Sequence, residues 1–205
     1  TGVQTCALPI YKEVALTAVK KEGRSLAYAS PQLKNDKQFV LTALQYFRSA
    51  LNYASDELKN DKDIVLTAVQ KGGCNLNYAS DNLKKDREIV LTAVNNHWEA
   101  IKYASEELKN DREIVLTAVN NHWRAIKYAS EELKNDREIV FSALRQSRGY
   151  ALKYASEELK NDREVVLGVV RRYRWPFKYA SEELKKDPEI VLATTTGIRT
   201  RNVSD

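Results

Sequence analysis

Asp111–Asn135 reads DREIVLTAVNNHWRAIKYASEELKN, and the stretch before it, Asp86–Asn110, repeats it with a single change, Glu99 for Arg124. Looser copies fill most of the remaining chain. The tyrosine of a recurring Tyr-Ala-Ser falls at Tyr28, Tyr53, Tyr78, Tyr103, Tyr128, Tyr154 and Tyr179. The aspartate that opens each copy keeps the same rhythm at Asp36, Asp61, Asp86, Asp111, Asp136, Asp162 and Asp187. Successive tyrosines lie 25 residues apart, with one gap of 26. A period of this length marks a stacked-repeat architecture, in which each copy buries its apolar face only against its neighbours.

Each copy reads as helical. Helix A starts at the aspartate, a residue type that caps helix N-termini, with an acid in the first turn as in Glu113. Its apolar residues Ile114, Val115, Leu116, Ala118 and Val119 form a broad face suited to a helix covered on two sides. Asp187-Pro188 fits the same reading, since proline is favoured immediately after a cap. Helix B spans roughly Trp98–Ala104, with Ile101 and Ala104 on one edge. It does not run on through Ser105 to Leu108, because the copy at Tyr28 places Pro31 directly after the serine. Proline there would cost about 3 kcal/mol mid-helix. Serine as N-cap of a short third helix, α or 3₁₀, accounts for all copies. The expected fold is all-α: an α-solenoid of about seven 25-residue repeats over 11–192, each of two short helices plus a short third helical turn.

The flanks break the pattern. Thr1–Ile10 (TGVQTCALPI) has no counterpart in any copy and reads as a non-native, adapter-derived segment, while 193–205 reads as a frayed or foreign tail. With no methionine in the chain and no polar cap at either end of the array, a fragment of a longer array is expected.

Composition narrows the class. At 43% apolar and 30% charged residues the chain is too apolar for general disorder. No apolar run approaches the ~20 residues of a membrane span, so no membrane partner is expected. Cys6 and Cys74 are the only cysteines, too few for a disulfide framework or a four-cysteine zinc site. An intracellular, reducing compartment, the cytoplasm, fits that usage.

The recurring D-x-E-[IV]-V-L-x-A-V…[AL]-x-Y-A-S-x-x-L-K resembles a repeat family catalogued as domain of unknown function 4116, over about Tyr11–Leu192. The resemblance implies tandem helical repeats, as in large proteins of protists, bacteria and giant viruses, and brings no catalytic residues. The chain departs from it at Tyr11, where the aspartate is missing, at Gly168 in the threonine slot, and at the extra residue near Gly149.

Motifs for catalysis are missing: there is no Gly-rich phosphate loop, HExxH, CxxC or nucleophile elbow. No enzyme, cofactor or metal is therefore expected. His97 and His122 share one slot in adjacent copies, but a zinc would need two further ligands that no neighbour supplies. They read as surface residues copied by duplication. The recurrent tyrosine, either a ligand ladder or a packing element, is expected to pack and to bond its hydroxyl to the next repeat. The lysine after each leucine, from Lys34 to Lys185, reads as a solvated face paired with nearby acids.

The turn between helices A and B varies most. Five residues before each tyrosine stand Gly23, Arg48, Gly73, Trp98, Trp123, Gly149 and Arg174. A core slot exchanging Trp for Gly would leave a cavity, so this slot is expected to be exposed. Trp, Tyr and Arg are the types that dominate binding hot spots. The expected function is thus a non-enzymatic scaffold binding protein or peptide through this rim, with Trp98, Trp123, Arg124, Tyr173, Arg174 and Trp175 as anchors. The alternative is nucleic acid. Phe141–Ser181 carries nine Lys/Arg against four acids, interleaved with aromatics, and would present Arg145, Arg148, Arg171, Arg172 and Arg174. The residues name no oligomeric state.

Overall fold

The structure, a computed structural model, describes residues 3–196 and the side chains of 11–195. Most of the expectations for 1–10 and 193–205 fall outside these described residues. Two compact units, Thr1–Leu108 and Lys109–Asp205, divide the chain. Each is a helical repeat stack, and among the described residues neither contains a strand.

In the first unit the A helices are Val3–Lys21, Lys37–Tyr46, Lys62–Lys71 and Arg87–Asn96. In the second they are Arg112–Asn121, Arg137–Ser147, Arg163–Arg172 and Pro188–Thr196. Aspartate starts them as expected. From Asp36 to Asp187 one carboxylate oxygen accepts the backbone N–H three residues on, at 2.7–3.2 Å. This answers one of the donors a helix N-terminus leaves unsatisfied. Ile114, Val115, Ala118 and Val119 are fully buried, as are their equivalents Ile64, Val65, Ala68 and Val69. Leu116, assigned to the same face, is only half-buried because it lies at its margin.

Helix B is a 3₁₀ element rather than an α-helix, for example Trp98–Tyr103, Trp123–Tyr128 and Trp175–Tyr179. A single extended residue, such as His97 or His122, joins it to helix A. So short a piece closes i→i+3 bonds sooner than an α-helical ladder. Its buried Ala100 and Ile101, or Ala125 and Ile126, complete the core. The third element is α at Pro31–Lys34, Asp56–Lys59, Glu106–Lys109 and Glu157–Lys160. It is 3₁₀ at Leu83–Lys85, Leu133–Asn135 and Leu184–Lys186.

The serine of Tyr-Ala-Ser does three jobs. Its Oγ accepts the N–H of the leucine three residues on, at 3.1–3.4 Å. From Ser55 onward, its backbone N–H donates to a lysine carbonyl of the preceding repeat, as from Ser55 to Lys34 and from Ser156 to Lys134, both at 3.0 Å. Its hydroxyl also donates to the asparagine beside that lysine, in Ser55–Asn35, Ser80–Asn60, Ser130–Asn110, Ser156–Asn135 and Ser181–Asn161, at 2.5–2.6 Å. One residue thereby caps its own helix and latches two repeats.

A second ladder crosses the repeats at the start of helix A. Within each unit, the cation after the residue that opens a copy reaches the aspartate of the next copy. Lys12–Asp36 measures 2.6 Å, Lys37–Asp61 2.9 Å and Lys62–Asp86 2.9 Å in the first unit. Arg112–Asp136 at 2.8 Å and Arg163–Asp187 at 2.9 Å continue the pattern in the second, as does Arg137–Asp162. Partial burial pushes the Asp136 carboxyl upward, but the Arg112 guanidinium and the Ile139 N–H outweigh it and hold it below the usual carboxylate value. Asp36, Asp61 and Asp86 show the same balance. At Asp187 the hydrogen bonds from Arg163 and Ile190 dominate outright. The lysine after each leucine pairs locally, as in Lys59–Asp56, Lys134–Glu131 and Lys160–Glu157. Among the described residues no helix is long and apolar enough to cross a membrane.

Candidate binding edge

The A–B turns do not form a uniformly exposed slot. Trp98 and Trp123 are half-buried and Arg48 and Arg174 exposed, but Gly73 and Gly149 are buried. The cavity argument fails because the next repeat fills the space a glycine leaves. A Cβ on Gly23 would stand 2.5 Å from the Phe47 ring, one on Gly73 2.1 Å from the Ala93 carbonyl oxygen, and one on Gly149 2.6 Å from Pro176 Cγ. Volume at this slot is therefore complementary between neighbours, and no single copy reveals it. The inserted residue sits in this turn as expected. Helix Arg137–Ser147 is one residue longer than its neighbours and ends in two left-handed residues, Arg148 (φ 52°) and Gly149 (φ 90°), whose N–H groups both donate to the Leu144 carbonyl.

The second unit gathers aromatic rings on this edge. Trp123 stacks on its own His122 at 6.0 Å between centroids. It meets Tyr150 at 6.5 Å and Tyr154 at 6.4 Å, both in the next repeat. Tyr150 lies in turn against Trp175, which meets Tyr179 edge-on at 5.9 Å. Cations lie over several of the rings on this edge. Arg124 lies 5.4 Å from the Trp123 ring centre, Lys178 5.7 Å from Trp175, and Lys127 4.5 Å from Tyr128. Tyr150, one of the aromatics of the basic stretch but not among the expected anchors, joins the two tryptophans. Its signal was an aromatic placed directly after the inserted residue. The recurrent tyrosine is held by its ring. Contrary to expectation, no tyrosine hydroxyl bonds to a neighbouring repeat among the described residues; the contacts are made by the rings, as Tyr154 meets Trp123 and Tyr179 meets Trp175.

Other predicted anchors scatter. Trp98 belongs to the first unit and stacks on His97 at 6.4 Å. Tyr173 is half-buried beneath Arg172 at 5.7 Å. Arg145, Arg148, Arg171, Arg172 and Arg174 are all exposed, but Arg171 pairs with Glu189 at 2.5 Å and Arg174 donates to the Thr194 carbonyl. The histidines have a local task. His97 Nδ1 accepts the Glu99 N–H at 3.2 Å and His122 Nδ1 the Arg124 N–H at 3.1 Å, capping helix B. Among the described residues no three His, Cys, Asp or Glu side chains gather to hold a metal. Burial raises the Cys74 thiol above its ordinary value, which disfavours the reactive thiolate.

Capped A helices, 3₁₀ B elements and two inter-repeat ladders together define a tandem α-helical repeat protein. The family profile described as Domain of unknown function (DUF4116) matches in seven overlapping copies, 11–59, 36–84, 61–109, 86–134, 111–160, 136–185 and 162–194, and the chain belongs to that family. No curated protein and no solved structure matches it.

Proposed function

We propose that the chain is a non-enzymatic scaffold that binds a protein or peptide along the edge of its A–B turns. The observation that carries this reading is the contiguous row Trp123–Tyr150–Trp175, half-buried to exposed and flanked by Arg124 and Lys178. Rigid aromatic and arginine surface presented by packed elements is the usual material of binding hot spots. Helix-packing positions stay constant from copy to copy while this edge changes, as a surface tuned to a partner would. The test is selection of binders from a displayed random-peptide library on the full chain, then competition with Trp123→Ala and Trp175→Ala. Selected peptides are expected to lose at least about tenfold in affinity on the variants. Binders indifferent to both would overturn the reading.

Nucleic acid at the same basic stretch is the second reading, favoured by the exposed Arg145, Arg148 and Arg172. Ring-to-ring packing and the overlying cations reduce the ring surface that bases could stack on. Salt separates the two. Phosphate contacts release counterions, so binding of a labelled single-stranded oligonucleotide would weaken steeply between low and physiological salt.

A further inference from the structure

Three departures from the repeat pattern, apart in the sequence, meet at one place in the second unit. Phe141 occupies a slot that is leucine at Leu16, Leu41, Leu66, Leu91, Leu116 and Leu167. Gly168 occupies the slot of Thr17, Thr42, Thr67, Thr92 and Thr117. The inserted residue produces the left-handed pair Arg148 and Gly149. Phe141, Gly149 and Gly168 all line one cleft of about 300 Å³, with Leu144 and Val169 beneath and Arg145, Arg172 and Tyr173 around it.

The glycine is telling. Within a helix it is less stable than any ordinary residue except proline, yet a Cβ on Gly168 would meet nothing within 4 Å. Packing therefore does not demand it, and its effect is to keep the cleft open. The cations point the same way. Arg163 and Arg171 both pair with Glu189, whereas Arg145 and Arg172 have no carboxylate partner among the described residues. Two guanidiniums without a carboxylate, beside an apolar hollow, suit a ligand that is apolar and anionic together. The volume lies at the small end for a ligand site, and a single terminal residue can carry both features. A C-terminal apolar residue does.

We infer that this cleft captures the C-terminus of a peptide, its last side chain entering the hollow among Phe141, Leu144 and Val169 and its terminal carboxylate held by Arg145 and Arg172. The class of partner rests on the scaffold reading above, but Trp123, Tyr150 and Trp175 are not among the residues that line the cleft.

The test uses fluorescence anisotropy on the full chain with a labelled Ser/Gly hexapeptide ending in leucine with a free carboxylate. The same peptide amidated at its C-terminus, and an amidated version with an internal Leu-Glu, serve as the other arms. The free acid is expected to bind at least about tenfold more tightly than either amidated form, as a lost charged hydrogen bond implies. Arg145→Gln and Arg172→Gln should each weaken it by about fivefold or more, and Gly168→Thr, which restores the repeat residue and narrows the cleft, by about tenfold, with helicity and melting retained. No binding of the free acid at millimolar concentration, equal binding of either amidated form, or unchanged binding to Gly168→Thr would each overturn the inference. The scaffold reading fails separately, because Trp123→Ala and Trp175→Ala are expected to leave this binding unchanged.

Discussion

Gly73 lies so close to the Ala93 carbonyl that a Cβ on it would stand 2.1 Å from the oxygen, although the two residues belong to successive repeats. The contact is with backbone, which cannot swing aside. Gly73→Ala is expected to destabilise the protein by roughly 1–3 kcal/mol through overpacking. Gly168→Ala, which meets open space in a helix, should stabilise by about 1 kcal/mol. Urea denaturation of the two variants checks both signs, and a neutral Gly73→Ala would mean that the repeats separate there at little cost.

The pair Trp123 and Tyr150 gives a second measurement. Each ring contributes to the next repeat's packing, so a double-mutant cycle with Trp123→Ala and Tyr150→Ala should return a coupling of about 0.5–1.5 kcal/mol. A coupling indistinguishable from zero would leave the rings as independent surface residues.

Lys85 stands where the serine latch elsewhere finds asparagine. Lys85→Asn should let the Ser105 hydroxyl make the bond that Ser80 makes to Asn60, raising stability by about 0.5–1.5 kcal/mol, and Asn135→Ala should lower it by a similar amount. Thermal melts of the two variants should shift in opposite directions.

Acid should weaken the interlocking aspartates together. The carboxyls of Asp36, Asp61, Asp86, Asp136 and Asp187 are held below their ordinary value in the folded chain. A depressed folded value means that the stability is present above the unfolded value, about 3.9, and is lost as pH falls through the folded one. Helicity followed by circular dichroism should hold down to about pH 4 and collapse below it. Asp136→Asn should flatten part of that dependence, and an unchanged acid profile would show that this aspartate is not among the groups responsible.

Repeat length, capping aspartate and the break at Ser105 were legible in the chain because they are local. A side chain that bonds three residues away, or a proline that forbids a helix, leaves its mark within a few positions. The cation after each aspartate was equally regular but was not read as a ladder, since its partner lies a full repeat further on. The glycines misled for the same reason. Gly23, Gly73 and Gly149 looked like evidence of an exposed slot until Phe47, Ala93 and Pro176 were seen occupying the space.

The sequence by itself determined that this is a helical repeat array, what starts each A helix and each third helical turn, and most of the residues that face inward, because periodicity and capping act over a turn or two of chain. Only the tertiary structure decided which variable residues meet. Trp123 finds Tyr150 and Gly168 joins Phe141 because stacking sets residues a repeat apart side by side, and that proximity is a property of the packed neighbours rather than of any one copy.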